Sequence, residues 1–349
     1  MQTAVVRGRN QLEIATAPEP TIGDYDALVQ IVACGVCTGT DLHILRGDFP
    51  FLAPYPFILG HESIGRVITV GSKVRSYKPG DLVLRPVAVR PGETLGGLGS
   101  VFGGFAERGI VTDAAAIIAD TPRTQTPHLP AFADAQQVVP SSFDPVDAGM
   151  FITFKETLSW FHALGPVMGR SVLIFGTGPV GLCFARIAKF LGANLVIVVG
   201  RREERLELAQ QLGADAGVNT TTDDVVAVSR ALTGGRGVDI AIEAIGDTAL
   251  IADATRALAE GGTVAIYGAP PALETTLRWG GIASTWQLRF IRPREGDVHD
   301  LALDLVRRGF IDLRSFVTHV FPLARIDEAF DLLAHKKTLK QTIMIDDGA

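Results

Sequence analysis

The sequence predicts an α/β protein, with a doubly wound parallel sheet in its second half behind an all-β first part. Three observations carry this expectation. Between Ser171 and Arg202 an apolar run, a glycine turn, a helix and a second apolar run follow one another. From about Thr153 onward, strand and helix patterns alternate. The first three dozen residues, by contrast, read only as short strands and turns.

In chain order, Thr3–Val6, Leu12–Ile14 and Leu28–Ala33 are apolar strands separated by turns and by a proline-rich bend to Pro20. The segment Cys34–His43 then gathers thiol, hydroxyl, carboxylate and imidazole at the start of a short helix. Beyond Gly65 a strand runs to Gly71, and Pro79-Gly80-Asp81 turns into another. His61 and Glu62 thus project from a β scaffold. The loop from Arg85 to Gly104 is glycine-rich and has no cysteine, and residues 120–147 form a proline-rich connection.

Ser171–Phe175 is a short apolar run, and Leu195–Val199 is wholly apolar, the pattern of a strand buried on both faces of a parallel sheet. Between them Gly176-Thr177-Gly178-Pro179-Val180-Gly181 turns the chain into a helix over Pro179–Leu191, which Gly192 stops. In that order Gly176 allows the sharp turn, Gly178 the approach of a pyrophosphate, and Gly181 close packing of helix on strand. The free N–H groups of the helix suit the phosphates, so the segment is a dinucleotide site. An NAD site usually carries an acidic residue about 20 positions beyond the glycines. Here Gly200 is followed by Arg201 and Arg202, which can grip a 2′-phosphate bidentately, so NADP(H) is expected in preference to NAD(H).

Further helices are expected over Glu203–Leu212 and Thr248–Ala259, and strands over Val238–Ile242 and Thr263–Tyr267. Gly246 and Gly268 follow strands at the carboxyl edge of the sheet, either as turn residues or beside the nicotinamide. Trp286, Arg289 and Arg292 fall near a crossover, where they line a cleft or pack a hinge. Helices over Val298–Arg308 and Ile326–Ala334 and a strand over Gln341–Ile345 follow.

At 349 residues the chain is long enough for two domains. Its 47% hydrophobic and 20% charged content is that of a core-forming protein. A net charge of −6 without a basic stripe argues against nucleic acid as a partner, and charged residues and glycines interrupt every long apolar stretch, against a membrane span. Three cysteines, Cys34, Cys37 and Cys183, and no leader-like apolar segment point to the cytoplasm.

The phrase Gly60-His61-Glu62-Ser63-Ile64-Gly65, with Gly71 and Val74 beyond it, resembles the signature of zinc-dependent alcohol dehydrogenases of the medium-chain dehydrogenase/reductase superfamily. Gly103-Gly104-Phe105-Ala106-Glu107, the dinucleotide segment and Ile326–Phe330 extend the resemblance over essentially the whole chain. It implies a GroES-like catalytic domain over 1–152, a Rossmann domain over 153–290 and a return to the first domain over 291–349. Cys37 and His61 match the catalytic zinc ligands, and a thiolate, an imidazole and a carboxylate suit that ion. The third ligand is expected to be Glu156, in a phrase, Glu156-Thr157-Leu158-Ser159, that resembles the family's Glu-Pro-Leu-Ser/Ala without its proline, with Glu62 as the alternative. The chain departs from the family in having both Thr38 and Gly39 between Cys37 and Thr40, and in lacking cysteines for a structural zinc.

By the same resemblance Thr40 passes on the substrate's hydroxyl proton, His43 relays it, and Asp41 orients His61. The implied activity is NADP- and zinc-dependent interconversion of a polyol or secondary alcohol with its carbonyl, by a homodimer or homotetramer. The alternatives are a zinc-free NADPH reductase of an activated double bond or quinone, and a coenzyme-binding protein without turnover.

Overall fold

Ser171–Phe175 forms an inner strand of a six-stranded, wholly parallel sheet in the computed structural model, which describes residues 1–49, 55–100, 102–268, 274–277 and 280–345. Across this sheet the strands lie in the order Ala216–Asn219, Leu195–Gly200, Ser171–Phe175, Val238–Glu243, Leu258–Ile266, Trp286–Phe290. The first three strands in sequence step outward one way, and the fourth returns to the other side of the first. Such a reversal opens a crevice beyond the carboxyl ends of the two adjoining strands, the usual ligand position in this architecture. Every residue of Ser171–Phe175 is buried, which is why this strand reads as an unbroken apolar run.

The expected doubly wound sheet is therefore present, with boundary differences. The helix expected over Thr248–Ala259 covers only Leu250–Ala257, because Leu258 already opens the strand Leu258–Ile266. Ala257, Leu258 and Ala259 are all buried, so burial does not mark the junction between helix and strand. The strand Trp286–Phe290 was not expected; it is the edge of the sheet, and its exposed positions leave it without an apolar run. Arg289 donates from this strand to the carbonyls of Ala163 (3.1 Å) and Leu164 (2.7 Å), closing the last turn of the helix Ala148–Leu164.

Helix Pro179–Phe190 starts directly at the glycine turn. A Cβ on Gly181 would collide with the carbonyl oxygen of Gly176, so only glycine lets the helix sit this close to the strand. Gly181→Ala is expected to destabilise the protein by about 1–3 kcal/mol and to weaken NADPH binding, as read by thermal melting and coenzyme fluorescence. Unaltered melting and binding would show that the turn has room to spare.

The chain divides into two compact units, Glu156–Arg294 and Met1–Lys155 together with Glu295–Ala349. In the latter, Asp26–Val36 runs through a seven-stranded sheet. One edge pairs antiparallel with Glu62–Val70; on the other, Arg108–Thr112 pairs with the first half and Lys340–Met344 with the second. A four-stranded sheet holds Gln11–Thr16, Gln2–Gly8, Phe57–Ile58 and Gly99–Ser100. The all-β character expected of the first part is thus observed, but the strand expected after Gly65 already begins at Glu62. Among the described residues no helix is long and apolar enough to cross a membrane. Of the loop 46–57, residues 50–54 lie outside the described residues, as does Val101 of the loop 85–104.

Candidate active site

Three neighbouring strand ends build the site. Val36 ends one strand and Cys37 follows it; Glu62 opens the next, opposite Gly35; Gln341 pairs with Val36, which brings Lys340 to the same end. The Cys37 thiol, the His61 imidazole and the Glu62 carboxylate offer ligand atoms that all lie within 4.8 Å of one another. His61 and Glu62 are buried and Cys37 half-buried. The two glycine-rich phrases meet here as well, since Gly104 N–H donates to the Gly60 carbonyl at 2.7 Å.

The extra residue after Cys37 is taken up by an exposed turn through Thr38 and Gly39. That turn is closed at both ends. Asp41 N–H donates to the Cys37 carbonyl at 3.0 Å, and the Cys37 N–H donates to Asp41 Oδ2 at 2.9 Å. The other Asp41 oxygen, Oδ1, lies 3.3 Å from His61 Nδ1. A single buried carboxylate thus fixes the backbone of one prospective ligand and the ring of the other. Burial alone would depress the His61 pKa, but the charge and contact of Asp41, with those of Cys37, outweigh it and hold the imidazole well above its usual value. Cys34, two strand positions away in this sheet, is fully buried; burial first, then the Asp41 and Glu62 charges, push its thiol well up.

Glu62 has two further partners in its own unit. Lys340 Nζ donates to Oε1 at 2.6 Å and also contacts Oε2, and Thr153 Oγ1 donates to Oε1 at 3.3 Å. The Lys340 and Glu62 side chains are only 4% and 2% exposed. Oε2 is seated against Gly35 and Gly149, where a side chain at either position would press on it.

Sulfur, nitrogen and oxygen donors at these separations fit zinc: bonds of about 2.0–2.3 Å in a tetrahedron place ligand atoms about 3.3–3.8 Å apart. A small contraction of the cluster brings Cys37, His61 and Glu62 into that range. Glu156 is not one of this group; it opens the other unit, where its carboxylate accepts from the Tyr267 hydroxyl at 3.2 Å.

Thr40 is the N-cap residue of the helix Asp41–Arg46, but its side chain makes no cap hydrogen bond. His43 lies on that helix with Nδ1 2.7 Å from Asp48 Oδ1.

In the Glu156–Arg294 unit, Gly176, Thr177, Gly178, Pro179, Val180 and Gly181 surround the carboxyl end of Ser171–Phe175, with open space above Gly178. Gly200, against which Thr177 packs, ends the second strand. Arg201 follows it, exposed, and Arg202 is the N-cap of the helix Glu203–Gln211. Gly246 donates to Glu243 Oε1 at 2.8 Å and abuts Gly268, so both line the ends of the fourth and fifth strands.

Sequence reasoning missed Lys340, Thr153, Asp48 and Arg205. Only Lys340 left a signal, a lysine opening an otherwise uncharged strand.

Residues 23–121 match the family model "Alcohol dehydrogenase GroES-like domain", and residues 179–305 match "Zinc-binding dehydrogenase". An L-threonine 3-dehydrogenase of Saccharopolyspora erythraea is 31% identical over 331 residues, covering 92% of each chain. A sorbitol dehydrogenase of Bacillus subtilis is 29% identical over 335 residues, covering 95% of this chain and 93% of the relative. Among solved structures, a zinc-binding dehydrogenase of Sinorhizobium meliloti bound to NADP superposes with a TM-score of 0.75 at 27% identity, covering 99% of both chains.

Proposed function

The chain belongs to the zinc-type alcohol dehydrogenases of the medium-chain dehydrogenase/reductase superfamily, and from that membership we propose an NADP(H)-dependent enzyme that interconverts a polyol or secondary alcohol with its carbonyl at one zinc ion. The convergence of Cys37, His61 and Glu62 carries the metal part of this reading. Zinc bound there supplies a Lewis acid for the alcohol oxygen, and nicotinamide supplies the hydride acceptor. Cys37, His61 and Glu62 hold the ion, with Glu62 preferred to Glu156 because it stands among the other two donors. Asp41 keeps the ring of His61 in its ligating orientation. The Thr40 hydroxyl, committed to no cap, takes the substrate's proton, and His43, held at Nδ1 by Asp48, passes it on through Nε2.

Sorbitol and threonine dehydrogenases among the relatives support a secondary hydroxyl as the group oxidised. The coenzyme preference rests on arginines, with the NADP-bound neighbour in support. Arg202 lies 3.8 Å from Glu204, which offsets part of its charge, whereas Arg201 has no ion-pair partner among the described residues. One turn along, half-buried Arg205 has its pKa lowered first by burial and then by the charge of Arg202, with Glu204 opposing. The protein acts in the cytoplasm as a homodimer or homotetramer, without nucleic-acid or membrane partners.

The test is a panel of polyols and secondary alcohols with NADP and NAD side by side, with and without zinc. Charge reversal at Arg201 and Arg202 to glutamate is expected to lower kcat/KM with NADP about 10–100-fold, the loss of one or two charge-assisted hydrogen bonds, while sparing NAD. Equal use of both coenzymes by the unaltered enzyme would discard the preference.

A further inference from the structure

Arg85 ends the fully buried strand Leu82–Leu84 and is itself only 2% exposed. Its φ of +56° is a left-handed conformation that a side chain as large as arginine's adopts only where its surroundings enforce it. Those surroundings are specific. The backbone N–H donates to the Ser63 carbonyl at 2.7 Å, and the backbone carbonyl accepts from Gln136 Nε2 at 2.9 Å. Nη1 donates to the His61 carbonyl at 2.6 Å, and Nε lies 2.6 Å from Glu295 Oε1. One residue therefore grips both neighbours of Glu62, His61 through its side chain and Ser63 through its backbone. Glu295, at which the chain re-enters this unit, supplies the compensating charge in a place where the two side chains are 3% and 7% exposed.

A buried arginine needed only to neutralise Glu295 has no reason to accept a strained backbone or to reach a peptide carbonyl. Resting on the reading of a metal at Cys37, His61 and Glu62, we propose that Arg85 is a positioning residue of that centre, clamping the His61-Glu62-Ser63 segment and held in turn by Glu295. The planar guanidinium serves the carbonyl and the carboxylate from separate nitrogens at fixed angles, a geometry that a lysine ammonium cannot reproduce.

Two variants test this, Arg85→Lys and the double variant Arg85→Met with Glu295→Met, which removes both buried charges and leaves an apolar pair that folded proteins tolerate. Both are expected to lose zinc to a chelator about 10–100-fold faster than the unaltered protein, the usual range for residues that support metal ligands. Both are also expected to shift the visible spectrum of the cobalt-substituted centre, a change that loss of mere packing would not produce. A folded double variant with unchanged zinc loss and cobalt spectrum overturns the proposal; if it does not fold, Arg85→Lys is judged by the same criterion. An unaltered protein that takes up no zinc overturns the metal reading itself, and this inference with it.

Discussion

Cys37→Ser is expected to abolish zinc retention and to lower kcat/KM at least about a thousandfold, since Lewis-acid stabilisation is worth several kcal/mol and each 1.36 kcal/mol is a factor of ten. A serine hydroxyl stays protonated at neutral pH and is a far weaker zinc donor than a thiolate. Nor can a neighbour take over. Cys34 is fully buried, and burial with the nearby carboxylates keeps it a thiol. Glu62 is already one of the three donors and cannot also replace the thiolate. The glycine turn that serves the coenzyme belongs to the other compact unit, so NADPH binding is expected to persist. Zinc content, initial rates and coenzyme fluorescence on one preparation check all three points. A Cys37→Ser protein carrying a full equivalent of zinc would remove the thiolate from the centre.

The largest effect on stability is expected at Lys340→Met. Removing one partner of a buried pair strands the other charge, at about 3–5 kcal/mol, whereas removing both can be nearly neutral. Lys340 and Glu62 meet that condition, with side chains 4% and 2% exposed. Urea unfolding of the zinc-free protein should therefore show a large loss for Lys340→Met and recovery of most of it when Glu62→Gln is added. In the zinc-free protein the carboxylate loses its lysine partner; with zinc bound, ligation by Glu62 should shrink the deficit. A Lys340→Met protein as stable as the unaltered one would mean that the buried pair adds nothing net to stability.

How far the sequence could be read followed from how local each feature is. The strand Ser171–Phe175, its glycine turn and the start of the following helix were legible to the residue, because periodicity, glycine placement and burial on both faces all act within one short stretch. The clustering of Cys37 with His61 was legible only through family resemblance, since the register that unites them is set by pairing between separate strands. Arg85 and Glu295 could not be placed from the sequence at all, and Lys340 left only the faint mark of a lysine opening an uncharged strand. A charged side chain carries no local mark of being buried, and its partner lies at a distance that only the fold closes. The helix end at Ala257 falls inside the buried run Ala257-Leu258-Ala259, where nothing local marks the change from helix to strand.

Glu62 and Lys340 are 278 positions apart, and the whole Glu156–Arg294 unit lies between them in sequence. A nascent chain that has emerged only as far as that unit has Cys37, His61 and Glu62 but no Lys340, and no strand Lys340–Met344 alongside them. Larger chains fold unit by unit as they are made, and contacts between distant segments form last. The surroundings of Glu62 are therefore completed only when the last strand has been made, and a chain cut before Lys340–Met344 lacks both the buried ion pair and the strand that pairs with Ala33–Val36.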